Sequence, residues 1–289
     1  MQINEFNYYK PQTKSEALEL LDKLDNVAPI AGGSDLLVEM KQGIRQFDEI
    51  VSLTAIEEFK KITEDSDFIY IGPLTTHTEI GKSELLQKYL PGLVKAASGI
   101  GTHQIRNTGT IGGNLCTCAS CADTAPALIA YNTEVEISSK ESVRLIQLND
   151  FMLHHHQTAL KQNELMTNIK VPKPSANTYS GFEKFGLRAS ASISVASVAV
   201  SITVNNNLVD DANIVIGACA PTPIQSPAAV NLLLKKDINE LKSNENLIMQ
   251  IADAAASDAL PIDDIRASEQ YRKDIIKIIT KNVLLKAVS

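Results

Sequence analysis

The 289 residues, 44% of them hydrophobic, can bury a large core and favour two or three packed subdomains over one small one. A formal net charge of −7 argues against a general nucleic-acid binder, which needs a basic footprint. No apolar run reaches the length of a membrane span, and MQINEFNYYKPQTKSEAL has no basic segment followed by an apolar core, so no signal peptide is expected. Of four cysteines, Cys116, Cys118 and Cys121 are crowded together, a poor disulfide framework that fits a reducing cytoplasm.

In chain order, Ser15 to Leu24 has apolar positions at helical spacing behind a cap at Thr13 or Ser15. VAPIAGG reads as a short buried strand entering a glycine turn. LLVEMKQG reads as a helix ending at Gly43, and Asp48 to Leu53 as the next strand, close enough to lie parallel to the first. FIYIGPLTTHTEIGKS holds a strand, a turn at Gly72-Pro73 and a helix start near Thr76–Thr78. Leu85 to Ser98 reads as one helix. Glu134–Ile137 and Ser142–Ile146 form a predicted strand pair, and Leu165 to Val171 a further strand stopped by Pro172 and Pro174. KPSANTYS, residues 173 to 180, is polar and rich in breakers, which places a boundary there. Beyond it come strands in GFEKFG, in the serine- and valine-rich run from Ala189 to Val204, and in LVDDANIVIGAC. Helices are expected within Ala228–Leu241 and over Tyr271–Ala287. The class is α+β.

Two glycine turns carry the chemistry. AGGSDL, residues 31–36, follows a strand and precedes a helix. Consecutive glycines let several N–H groups converge on one anion without a side chain in the way. A phosphate or pyrophosphate is the natural ligand, although a Gly-Gly pair is also an ordinary structural turn. The turn matches neither the P-loop nor G-x-G-x-x-G. The second turn, TIGGN from Thr110 to Asn114, sets glycines beside Thr110, Asn114 and Thr117, with Asp123 following as an acceptor suited to a sugar hydroxyl. Two such loops could grip the ends of one dinucleotide.

Taken together, AGGSDLLVEMK, IGPLTTHTEI, IGTHQIRNTGTIGGN, DTAPALIAYNTEVEI, GACAPTP and DIRASEQYR resemble the FAD-binding medium subunit of the molybdenum hydroxylases. The resemblance runs through nearly the whole chain. It implies an FAD-binding fold of the vanillyl-alcohol-oxidase type in two subdomains, about 1–57 and 58–175. A C-terminal α+β domain of the carbon monoxide dehydrogenase flavoprotein type would cover 176–289. It implies that Pro29, Ile30, Ala31, Gly32, Gly33, Ser34, Asp35 and Leu36 wrap the pyrophosphate, with Ile100 and Gly101 beside the flavin or its tail. Thr110, Ile111, Gly112, Gly113 and Asn114 would make the second loop. Thr117 and Asp123 would bond sugar-like hydroxyls, Met166 would pack on an aromatic ring, and Lys184 would lie near the isoalloxazine, where its charge favours the reduced anionic ring.

The implied function is electron transfer with FAD as the resident cofactor. A large partner would carry molybdopterin and hydroxylate the substrate, and a small partner would carry 2Fe–2S clusters. Electrons would leave to NAD+ or another acceptor. No catalytic acid or base and no metal ligand is assigned on this chain. A stand-alone FAD-dependent reductase or oxidase, or a scaffold without flavin, are the alternatives.

The sequence departs from the family pattern in two places. LHHHQTAL replaces a Gly-Pro-Gly-Lys-Thr-like stretch, putting Gln157 where Lys or Arg is common, and GGNLCTCASC replaces a cysteine-free loop. The three histidines read as an exposed polar loop. The cysteines read as small packing residues, with a cluster or zinc site as the alternative.

Overall fold

The computed structural model describes residues 3–188 and 191–288. The chain opens with β1 (Asn7–Tyr9), α1 (Lys14–Lys23), β2 (Val27–Ile30), α2 (Leu36–Gln42) and β3 (Glu49–Ser52). The strands form a parallel sheet in the order β1-β3-β2, with Val27 and Asn7 both opposite Glu49. The Thr13 hydroxyl caps α1 by accepting from the Glu16 N–H, and Ala17, Leu18 and Leu21 turn towards the sheet. Strand β1 was not foreseen, because three residues are too few to show a period of two.

Two 3-10 turns, Leu53–Ala55 and Glu57–Lys60, lead into β4 (Ile62–Glu64) and β5 (Phe68–Ile71). Six helices follow: α3 (His77–Lys82), α4 (Glu84–Tyr89), α5 (Pro91–Ser98), α6 (His103–Thr108), α7 (Ile111–Thr117) and α8 (Thr124–Ile129). Then come β6 (Glu134–Ser138), β7 (Val143–Gln147), α9 (Leu148–Phe151), the hairpin β8 (Met152–His154) and β9 (Gln157–Thr158), and β10 (Leu165–Pro172). The antiparallel sheet runs β4-β5-β10-β6-β7. The single helix expected over 85–98 is two, because Pro91 has no N–H to donate and instead opens α5 at its first turn. Helix α3 starts as expected, with a reciprocal capping box between Thr76 and Glu79.

The last third holds β11 (Thr178–Gly186), β12 (Ser194–Asn205), β13 (Leu208–Gly217), β14 (Ile224–Gln225), α10 (Pro227–Leu233), α11 (Ile238–Ser243), α12 (Glu245–Asp258) and α13 (Glu269–Val288). Its antiparallel sheet is ordered β11-β12-β13-β14. Asn206 and Asn207, both at positive φ (50 and 65), make the tight turn between β12 and β13. The strand expected from Ala189 begins at Ser194, and Ala189 and Ser190 lie outside the described residues. Strand β12 is buried on both faces. Ala196, Val198, Val200 and Ile202 pack with apolar residues of α12 and α13, while Ala199 belongs to the core around α5 and α8. That double burial is why the run carries no polar alternation.

Buried polar groups join the parts. Tyr131 donates its hydroxyl proton to Ser180 Oγ at 2.8 Å, across the boundary placed near 175. Arg272, on α13, reaches the carbonyls of Val195 (2.7 Å) and Ala218 (3.2 Å).

Candidate cofactor site

Between the parallel sheet and helices α3, α6 and α7 lies a cavity of about 1170 Å³. One side is the run Asn26–Leu36, the end of β2 and the turn after it. At Gly32 a Cβ would sit 1.8 Å from the Thr108 carbonyl oxygen, and Gly33 is left-handed at φ +71. Only glycine fits there. The N–H groups of Gly33, Ser34, Asp35 and Leu36 make no hydrogen bond to a described residue. Four donors in sequence at a cavity wall are the provision expected for an anion.

The opposite side holds Pro73, Leu74, His77, Ile100, Gly109, Thr110 and Gly112–Asn114. Here the amides are engaged. Ile111 N–H donates to Thr75 O (2.9 Å), Gly112 to Pro73 O (2.9 Å), Gly113 to Thr110 Oγ1 (3.1 Å) and Asn114 to Thr110 O (2.9 Å). Asn114 Oδ1 also accepts from the Thr124 hydroxyl at 2.6 Å. Arg106 donates to Ile100 O (2.8 Å) and Gly101 O (3.1 Å) and so holds the turn at 100–101. His77 is 2% exposed and its Nδ1 has no partner. Burial first, and the Arg106 charge second, pull its pKa down to about 4, so the ring is neutral at pH 7.

Of the nineteen residues named from sequence, fifteen line this cavity: Pro29 to Leu36, Ile100, Thr110, Gly112, Gly113, Asn114, Thr117 and Met166. Gly101 and Ile111 do not line it. Asp123 and Lys184 do not line it either; they hold each other. Lys184 Nζ donates to Asp123 Oδ2 (2.7 Å), Gly99 O (2.9 Å) and Ser192 O (3.3 Å), and Ser194 Oγ donates to Asp123 Oδ1 (2.6 Å). Burial pushes the Asp123 carboxyl up, against the pull of Lys184.

Apart from Gln157, singled out where the family has Lys or Arg, sequence reasoning missed the outer wall, formed by Leu153, His156–Thr158, Leu160–Gln162 and Glu164–Leu165. The available signal was a polar stretch, HHHQTALKQNE, running straight into the apolar strand that carries Met166. Gln157 is on that wall. His155 Nδ1 lies 2.9 Å from Ser120 Oγ, and His156 Nδ1 lies 2.8 Å from Thr117 O, so these rings clip the β8–β9 hairpin to the end of α7. All four cysteines are free thiols, and burial pushes each pKa up, to about 12 at Cys116. Among the described residues no group of three or more His, Cys, Asp or Glu is placed to hold a metal ion.

The free amides of 33–36, the tight cradle at Gly32 and the apolar wall of Leu53, Leu74, Leu160, Leu165 and Met166 fit an elongated ligand with a phosphate and flat rings. The family described as "FAD binding domain in molybdopterin dehydrogenase" matches residues 4–174, and "CO dehydrogenase flavoprotein C-terminal domain" matches 182–287. This chain belongs to the FAD-binding medium subunits of the molybdenum hydroxylases. It is 29% identical to the xanthine dehydrogenase FAD-binding subunit of Escherichia coli over 98% of this chain and 96% of that one. It is 33% identical to the nicotinate dehydrogenase FAD-subunit of Eubacterium barkeri over 71% of each. The solved carbon monoxide dehydrogenase of Hydrogenophaga pseudoflava, in a form lacking the Mo-pyranopterin moiety, matches with a TM-score of 0.92. The identity is 28%, covering 99% of this chain and 98% of that one. The FAD subunit is thus the flavin-binding component of an oxidoreductase. No helix among the described residues is long and apolar enough to cross a membrane.

Proposed function

We propose that this chain is the electron-output subunit of a cytoplasmic molybdenum hydroxylase. It receives electrons from the 2Fe–2S clusters of a small partner and passes them to NAD+ or another acceptor, while a large molybdopterin partner hydroxylates the substrate. Two domains, 1–175 and 176–289, divide the work between holding the cofactor and bracing the cavity. When bound, FAD supplies the redox chemistry that no side chain here provides. The chain's own residues bind and orient it. The amides of Gly33 to Leu36 would hold the pyrophosphate, Thr110, Asn114 and Thr117 would meet hydroxyl groups, and Met166 with its apolar neighbours would exclude water from a ring.

The observation that carries this reading is the run of four amides, uncommitted to any described residue, on residues that line the cavity. The test is the visible spectrum of the purified chain, with acid-released flavin identified and iron and zinc counted on the same sample. About one FAD per chain without metal is the expected result. Failure to take up added FAD would overturn it. Stoichiometric iron would make the cysteine loop a second redox centre, and reduction of bound flavin by an organic substrate without partners would favour a stand-alone enzyme.

A further inference from the structure

The outer wall of the cavity has a weak point. Residues 159–164, between β9 and β10, belong to no helix or strand, yet Leu160, Lys161, Gln162 and Glu164 face the cavity. Ala159 N–H donates to Phe151 O (2.9 Å) and Leu160 N–H to Thr158 Oγ1 (3.4 Å), and the remaining ties converge on one ion pair. Arg144, on β7, donates from Nε to Glu164 Oε1 (3.2 Å) and from a terminal nitrogen to Glu164 Oε2 (2.9 Å). The same terminal nitrogen donates to Ala159 O at 2.8 Å. Glu164 Oε2 also accepts the Lys161 N–H (2.9 Å), and Glu164 N–H returns to Lys161 O (3.1 Å). Both ends of the loop are thereby tied to one guanidinium. The Glu164 side chain is 5% exposed, while that of Arg144 is 36% exposed and outside the cavity. The Arg144 bonds pull the Glu164 pKa down, so the carboxylate stays ionised.

Sheet register sets the position of this clamp. Arg144 is opposite Ile137 of β6, and Ile137 is opposite Met166 of β10. The guanidinium therefore stands in the same cross-strand row as the methionine on the cavity surface. A bulge between Met166 and Asn168 shifts the register just past that row, and Thr167, inside it, donates to Glu136 Oε1 at 2.6 Å.

We propose that the Arg144–Glu164 pair clamps the outer wall of the cavity in its ligand-retaining shape, so that Arg144 is a positioning residue controlling how fast the cofactor leaves. This rests on FAD occupying the cavity. A bidentate arginine–carboxylate pair is suited to the task, since it fixes orientation as well as distance.

The test is Arg144→Met in the full chain, with two readouts. In the FAD-free protein, amide hydrogen exchange should rise about tenfold at 159–164 and not across the five-stranded sheet, the effect of losing three bonds from a guanidinium that solvent partly screens. In the FAD-loaded protein, release followed by recovery of flavin fluorescence on dilution should quicken by about the same factor. Lys140→Met, on the β6–β7 turn, which removes the ion pair with Asp22 of α1, should change neither. Arg144→Lys should fall between wild type and Arg144→Met, and it carries the test if the methionine variant does not fold. Unchanged exchange at the wall overturns the clamp, as does a rise spread evenly over the sheet. A wild-type chain that never takes up FAD would defeat the functional proposal, while exchange in the FAD-free protein would still decide whether the clamp exists.

Discussion

The two glycine turns look alike in sequence and do different work. In AGGSD the amides of Gly33 to Asp35 make no hydrogen bond to a described residue, and these residues line the cavity. In TIGGN the amides of Ile111 to Asn114 are all taken up by Pro73, Thr75 and Thr110. The first turn offers backbone donors; the second is braced against the strand–helix connection beside it and offers side chains. Glycine has different reasons in each. At Gly33 the reason is a left-handed backbone, and at Gly112 it is crowding, since a Cβ would lie 2.6 Å from Pro73 Cβ. A Gly-Gly pair therefore marks a close approach, and only the accounting of hydrogen bonds tells whether its donors remain available.

The largest test of that contrast sets Gly32→Ala against Gly113→Ala. At Gly32 the added methyl meets backbone at 1.8 Å, so the turn or Thr108 must move. A cost of about 3 kcal/mol in stability and a loss of FAD retention of about a hundredfold are expected. At Gly113 the nearest obstacle is Thr110 Oγ1 at 3.0 Å, which can give, and the change should be several-fold smaller in both. Chemical denaturation and flavin titration decide it. Equal losses at the two sites would mean that the turns serve the cofactor in the same way.

His77, which follows Pro73 to Thr76 into α3 beside the second turn, should dominate the acid response of that side. Its folded pKa of about 4 lies below the unfolded value, so the unfolded chain binds more protons and stability rises with pH. The contribution is complete above the unfolded pKa and is lost as pH falls. About 2 kcal/mol should disappear between pH 7 and pH 5. His77→Gln should flatten that part of the profile in urea denaturation at a series of pH values. A slope equal to wild type would remove His77 from the account.

Thr110→Val gives the next smaller effect. It deletes the hydroxyl that accepts from Gly113 N–H at the start of α7 and should cost about 1 kcal/mol. Melting of the FAD-free chain measures it. FAD retention should fall less than in Gly32→Ala, because the second turn contributes bracing before it contributes contact.

Most of the longer elements were legible because their periods were. Helix α1 showed both its cap and its apolar spacing, and β10 its flanking prolines. Helix α12 (Glu245–Asp258) is an exception, long but unforeseen, and three further kinds of feature were not legible. Strand β1 and helices α6 to α8 are too short for a period to emerge. The break at Pro91 was hidden inside an otherwise helical pattern. The outer wall depends on Arg144 meeting Glu164 across twenty residues, a long-range pairing with no local signature. The family resemblance named the inner lining well, since those residues sit in contiguous glycine-rich stretches. It says less about Asp123 and Lys184, whose carboxylate and ammonium satisfy each other behind the surface.

That pair gives the finest test. The expectation that Lys184 favours a reduced anionic flavin needs its charge to reach the ring. The structure places Nζ 2.7 Å from a carboxylate that is itself bonded to Ser194, so from the cavity the two charges act as a compact dipole. Its field falls off faster than that of a lone ammonium, and an effect on the flavin of less than about 1 kcal/mol is expected. Lys184→Met should lower the flavin potential slightly, because Asp123 is then left without its counter-charge. The double variant Lys184→Met/Asp123→Asn removes both charges and should bring the potential back towards wild type. Potentiometric titration of the three proteins separates the cases. A large fall that persists in the double variant would mean that the lysine acts on the ring as a single charge; no change in any of them would make the pair a tie between the C-terminal sheet and the Gly99–Gly101 turn and nothing more.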